Sequence, residues 1–90
     1  MVQFRIRAMK INSGELIADE SIQTGLTLFR DVEAQVLPRQ GEFIVLPFAK
    51  FGSGIVVRVV HEFFATKCVP TLIVNVPNDT FETLDRAYWE

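Results

Sequence analysis

The chain has 90 residues, a length that forms one hydrophobic core, so we predict a single domain over residues 1–90. Hydrophobic residues make up 49% of the sequence and charged residues 22%, a composition that excludes intrinsic disorder. The net charge of −2 gives the chain no general attraction for the phosphates of nucleic acids, so any basic surface has to be local.

Targeting and redox signals are few. Cys68 is the only cysteine, which excludes a disulfide within the chain. The N-terminus alternates apolar with polar residues instead of forming the continuous apolar run of a signal peptide, and no run approaches the 18 apolar residues of a membrane span. We therefore expect a cytoplasmic protein with no membrane partner.

The first predicted element is a strand over residues 2–11, where apolar and polar side chains alternate with a period of two. Asn12, Ser13 and Gly14 follow as turn residues and lead into the apolar residues 16–18. The simplest interpretation is a β-hairpin in which residues 15–18 return along the first strand.

Residues 26–36 fit two templates. As a strand, they place Leu26, Leu28, Val32, Ala34 and Val36 on one face, which only Arg30 interrupts. As a helix, they place Leu26, Phe29, Val32 and Val36 on one stripe, but no clear capping box precedes it. We favour the strand.

Three further strands are predicted over residues 42–48, 55–64 and 71–76, which are rich in Val, Ile and Phe. Residues 38–41 form a tight turn before the first of them, and the glycines of residues 50–54 connect it to the second as a hairpin. Pro47 cannot donate to a central ladder, so it marks a strand end or an edge position.

The last segment changes to a helical pattern. Asp79 is placed to cap a helix with Glu82 three residues later, and Phe81, Leu84 and Tyr88 then share one face. Pro77 ends the strand that precedes it. A short C-terminal helix is therefore predicted.

Together these elements predict a mainly β fold, a small antiparallel barrel or rolled sheet of five to six strands, SH3-like or OB-like, with a short C-terminal helix. Residues 41–45, a glycine-rich hairpin and residues 55–60 are similar to the core hairpin of SH3-like barrels. This resemblance covers about 20 residues and implies a fold rather than membership of a family.

The sequence contains few residues that could form a catalytic or metal-binding site. His61 is the only histidine and lies on the apolar face of its strand, where a hydrogen-bonded structural role is more usual than catalysis. Cys68 follows seven residues later, and the two supply at most half of a zinc site. We therefore predict no catalytic residues, no metal site and no cofactor, although an enzymatic or small-ligand domain around His61 stays as a third hypothesis.

One loop has the composition of a single-strand nucleic-acid binder. It combines two aromatic rings and a cation, Phe48, Phe51 and Lys50, with glycines that let a nucleotide approach. The competing interpretation is that the rings close the end of the barrel while the glycines turn the chain. Nucleic-acid binding through this loop is the second hypothesis.

The predicted strands carry apolar side chains on both faces, which one short helix cannot cover. The predicted interface consists of Ile44, Leu46, Val56, Val60, Phe64 and Ile73. The leading hypothesis is accordingly a non-enzymatic interaction or assembly module that self-associates or binds a protein partner.

Overall fold

The computed structural model describes residues 1–50, 52–64 and 67–90, without the side chains of Phe64, Lys67 and Cys68. The chain is mainly β, as predicted, with five strands and one short C-terminal helix. The elements are β1 (Val2–Ile11), β2 (Gln23–Ala34), β3 (Phe43–Val45), β4 (Ser53–Phe64), β5 (Lys67–Val76) and α1 (Asn78–Glu82).

The five strands form one sheet in the order β2-β1-β5-β4-β3, which curls through 212° as a half-barrel. Three of the four pairings are antiparallel, but β1 and β5 run parallel. The sheet is therefore mixed, unlike the fully antiparallel one predicted. The chain reaches the parallel position because β3 and β4 first build the far side of the sheet, and β5 then returns between β4 and β1.

One face of the sheet, which we call the core face, carries the main hydrophobic core. Phe4, Ile6 and Ala8 of β1 pack there beside Leu72 and Val74 of β5, all 5% exposed or less. The register aligns Ile6 with Leu72 and Ala8 with Val74, which places these side chains in adjacent rows. Over residues 3–6 the alternation read from the sequence of β1 is thus the alternation between core and solvent, whereas Met9, in the row of Asn75, and Ile11 are also buried.

The C-terminal segment, residues 77–90, covers the core face. It contributes Phe81, Leu84 and Trp89, each at most 3% exposed. The indole Nε1 of Trp89 donates a hydrogen bond of 2.9 Å to the carbonyl oxygen of Pro47, which fastens the segment to the loop after β3. The segment closes the half-barrel in place of further strands.

The helix itself differs from the prediction in two respects. It ends at Glu82, because Leu84 leaves the helix to form a bridge with Ala49. Its N-cap residue is Pro77, with no side-chain hydrogen bond, so Asp79 lies inside the helix and does not cap it. β5 ends immediately before Pro77, as the sequence predicts.

The opposite face, which we call the outer face, is covered at one end by residues 12–22. Asn75 of β5 donates from Nδ2 to the carbonyl oxygens of Ile17 at 2.8 Å and of Asp19 at 3.2 Å. Arg58 of β4 forms an ion pair of 2.6 Å with Glu20 in the 3₁₀ turn Glu20–Ile22. These contacts hold the segment against the sheet.

The hairpin predicted for residues 15–18 is therefore wrong, because the chain leaves the sheet after β1 and crosses the outer face before β2 begins. β2 pairs with β1 instead, with one irregularity between Met9 and Ile11, which confirms the strand interpretation for residues 26–34; residues 35 and 36 lie beyond the strand. None of the helices in the described part of the chain is long and apolar enough to cross a membrane.

Candidate functional site

The loop predicted to bind nucleic acid is engaged within the molecule. Phe48 is 44% exposed, but its ring stacks on that of Tyr88, with centroids 4.0 Å apart and planes 12° from parallel. Lys50 is exposed, and its backbone N–H donates to the carbonyl oxygen of Thr83. Phe51 lies outside the described residues. One face of the Phe48 ring is thus already occupied by an aromatic partner.

The side chain of Arg30 packs against both rings of this aromatic pair. Its guanidinium carbon lies 4.1 Å from the centroid of Phe48 and 5.6 Å from that of Tyr88, a favourable cation–π geometry. The Nη1 atom donates to the carbonyl oxygen of Tyr88 at 3.0 Å, whereas Nε is buried with no hydrogen-bond partner. We call Arg30, Phe48 and Tyr88 the arginine clamp.

A groove of about 620 Å³ opens beside the clamp. Its apolar lining comes from Phe4, Val32, Pro47, Phe48 and Val69. A second groove of about 550 Å³ is lined by Phe29, Asp31 and Glu90 at the edge of β2, and Arg30 contributes to both.

The charged groups around the first groove are mostly paired with one another. Arg5 Nε lies 2.8 Å from a carboxylate oxygen of Asp31, and this hydrogen bond and charge raise the pKa of Arg5 further above its ordinary value. Glu33 accepts a hydrogen bond of 2.9 Å from Gln3 Nε2. The three ion pairs among the described residues do not include Arg30.

The residues predicted to form an interface separate into several environments. Leu46 and Val56 belong to the core, at 3% and 0% exposure, and Ile44 packs against it. Val60 and Ile73 are half-buried, and the side chain of Phe64 lies outside the described part of the structure.

The strongly exposed apolar side chains of β3 are the neighbours of the predicted ones. Phe43 is 66% exposed and Val45 82% exposed. Both project from the outer face, because Phe43 pairs with Ile55 in the row of Asn75. β3 is the last strand of the sheet, so these side chains stand at an open edge.

The backbone of β3 also offers hydrogen-bonding groups at this edge. Val56 N–H donates to the carbonyl oxygen of Glu42, and N–H and C=O groups point alternately to either side along a strand. Ile44, two positions after Glu42, therefore points its N–H and C=O toward β4. Those of Phe43 and Val45 point away from the sheet.

His61 and Cys68 do not form a described site. His61 is exposed on β4, opposite Pro70 in the register, and lines neither groove. Cys68 pairs with Phe63 through the backbone register, and its side chain is outside the described set. Within the described residues, no group of three or more potential metal ligands comes together.

Sequence reasoning did not assign a role to Arg30, yet the pattern contains the signal. Arg30 is the one residue that interrupts the apolar face of the strand over residues 26–36. A long cationic side chain on a core face needs a special partner, since isolated buried charge is costly. That interruption marks the position of the arginine clamp.

No protein-family model, curated protein or solved structure matches this chain.

Proposed function

We propose that the protein is a non-enzymatic assembly module whose copies associate through the open edge of β3. The observation that carries the proposal is the pair Phe43 and Val45, which expose large apolar side chains and outward backbone groups on the last strand of the sheet. Exposed apolar edge strands are templates for pairing with another chain. A cytoplasmic location, expected from the single cysteine, belongs to the same proposal.

A second copy fits this edge by self-complementarity. When two β3 strands pair antiparallel about a two-fold axis at Ile44, Phe43 of each copy lies opposite Val45 of the other. Each of these pairs exchanges two N–H···O bonds, and aromatic with β-branched is a favourable cross-strand combination. The pairing places no like charges opposite each other. Because both copies use the same edge, the two-fold symmetry limits the assembly to a dimer.

The other open edge is less suited to self-pairing. Asp31 and Glu33 of β2 bring carboxylates to it, and like charges opposite one another destabilise a strand pair. Phe29 is already paired there, since its N–H and C=O exchange hydrogen bonds of 2.7 and 3.0 Å with Glu90. Charge and this contact protect the β2 edge, whereas β3 has neither protection.

Sedimentation or light scattering over concentrations from about 10 µM to several hundred micromolar tests the proposal, because so small a contact predicts micromolar or weaker affinity. The wild type is expected to rise from the mass of one chain toward that of two. Val45→Lys is expected to stay monomeric, because it replaces the β-branched partner of Phe43 in both cross-strand pairs with a charged side chain, and lysine on an edge strand opposes pairing.

Val36→Lys is the matched control. Val36 is 72% exposed and lies outside the strands, so the same change there should leave the dimer intact. A wild type that stays monomeric at several hundred micromolar would overturn the proposal, as would a dimer that survives Val45→Lys.

A further inference from the structure

The arginine clamp holds a guanidinium whose hydrogen-bonding capacity is only partly used. Arg30 lies on the core face of β2, between the half-buried residues Leu28 and Val32. Its buried Nε has no partner, and a donor left in this state costs about 1–3 kcal/mol. Native proteins rarely retain such a donor without a reason.

The ring beneath the guanidinium is held in an unusual backbone conformation. Phe48 has φ of 53°, and it is the one non-glycine residue with positive φ in the described chain. A bulky side chain in this region costs about 1–3 kcal/mol, and such strain concentrates at functional sites. The backbone of Phe48 is fixed by its carbonyl oxygen, which accepts a hydrogen bond of 2.9 Å from Asp85 N–H.

Arg30 and Phe48 both line the same groove. Its wall of Phe4, Val32 and Pro47 suits an apolar body, and Arg30 stands at its margin with no carboxylate partner among the described residues. Arg5 is neutralised by Asp31, so Arg30 is the cation of the lining that remains available. A planar guanidinium is the side chain best suited to bind a carboxylate in two-point contact.

We propose that this groove is a binding site for a small organic carboxylate with an apolar body, in which the carboxylate pairs with Arg30 and the body lies against Val32 and Pro47. The proposal uses no residue of β3 and is independent of the assembly function. The side chain of Glu33 lies on the opposite face of β2, where it accepts a hydrogen bond from Gln3, so Glu33→Gln is the matched control for Arg30→Gln.

Titration of ¹⁵N-labelled protein with benzoate tests the site, with benzamide as the neutral ligand of the same shape and inorganic phosphate as the anion without a body. Benzoate is expected to shift the amide signals of residues 30–33, 48 and 69. Arg30→Gln should weaken benzoate binding about tenfold or more, whereas Glu33→Gln should change it by less than about twofold. Benzamide and phosphate should bind more weakly than benzoate.

Val32→Trp provides a variant that keeps Arg30 and fills the groove from the same face of β2, so the test stands even if Arg30→Gln fails to fold. It should abolish the benzoate shifts while the dispersion of the spectrum is retained. The proposal is overturned if benzoate shifts lie elsewhere, survive Val32→Trp, or are matched by benzamide or phosphate at equal concentration.

Discussion

At the scale of single residues, Asn75 joins the sheet to the segment that covers its outer face. It is fully buried on β5, and its amide donates to two carbonyl oxygens of residues 12–22 while its Oδ1 accepts from Gln23 Nε2 at 2.6 Å. A buried amide with three hydrogen bonds is satisfied nearly to capacity. This side chain explains how a polar residue lies inside a sheet of Val and Ile.

Asn75→Ala is expected to lower the free energy of unfolding by about 2–4 kcal/mol, because it removes three hydrogen bonds, those to the carbonyl oxygens of Ile17 and Asp19 and the one from the amide of Gln23. Urea denaturation measures the loss. Asn12→Ala is the matched control, since Asn12 is exposed, and it should change stability by less than about 0.5 kcal/mol. Equal effects of the two substitutions would contradict this role of Asn75.

The sequence pattern identified the apolar positions but not always which side of a strand faces the core. Ile44 and Leu46 were predicted to be at an interface, whereas Leu46 is buried and Phe43 and Val45 are exposed. Both faces of this strand are apolar, so a period of two cannot distinguish them. The choice depends on the C-terminal segment, whose position is set by contacts distant in sequence.

At the scale of elements, the strands were predictable because Val, Ile and Phe runs bounded by Gly or Pro are local signals. The parallel contact of β1 with β5 was not, since it joins residues more than 60 positions apart. The same holds for residues 12–22, which resemble a returning hairpin strand locally but are held across the outer face by Asn75 and Arg58. The conformation of this segment is therefore set by contacts with distant strands and not by its local turn residues.

The helix α1 is too short to be stable alone, so its position depends on contacts with the sheet. Lys10 Nζ of β1 lies 2.7 Å from Glu82 Oε1, and this ion pair holds the pKa of Glu82 below its ordinary value. A carboxylate with a lowered pKa contributes stability above its unfolded-state pKa. That contribution is lost as the pH falls through the folded-state value.

Glu82→Gln should therefore destabilise the protein near neutral pH, and the difference from wild type should shrink as the pH falls through the folded-state pKa of Glu82 and vanish once Glu82 is protonated in both states. Urea midpoints at neutral pH and at successively lower pH values give the measurement. Asp79→Asn is the control on the same helix, because Asp79 takes part in none of the described ion pairs. A deficit of Glu82→Gln that persists unchanged in acid would exclude the ion pair as its cause.

At the scale of the whole molecule, the half-barrel is completed by the C-terminal segment rather than by a sixth strand. Residues 47–50 and 83–85 connect through backbone hydrogen bonds, and Glu90 pairs with Phe29 at the edge of β2. Trp89, the only tryptophan, is 1% exposed at the centre of this closure. Sheet and segment share one core, which predicts a single cooperative unfolding transition.

Trp89→Ala tests whether that closure is part of the cooperative unit. We expect it to cost about 3–5 kcal/mol, because it removes a large buried ring from the common core. Trp89→Phe keeps most of the ring and loses the hydrogen bond to Pro47, so its cost should be smaller, about 1–3 kcal/mol. Urea unfolding followed by far-UV circular dichroism compares the variants, and Glu90→Ala is the control with the smallest loss, because Glu90 is exposed and its described hydrogen bonds to Phe29 are made by its backbone. In the wild type, tryptophan fluorescence and circular dichroism should give coincident curves. Separate curves, or a Trp89→Ala protein as stable as Glu90→Ala, would show that the sheet is stable without its C-terminal cover.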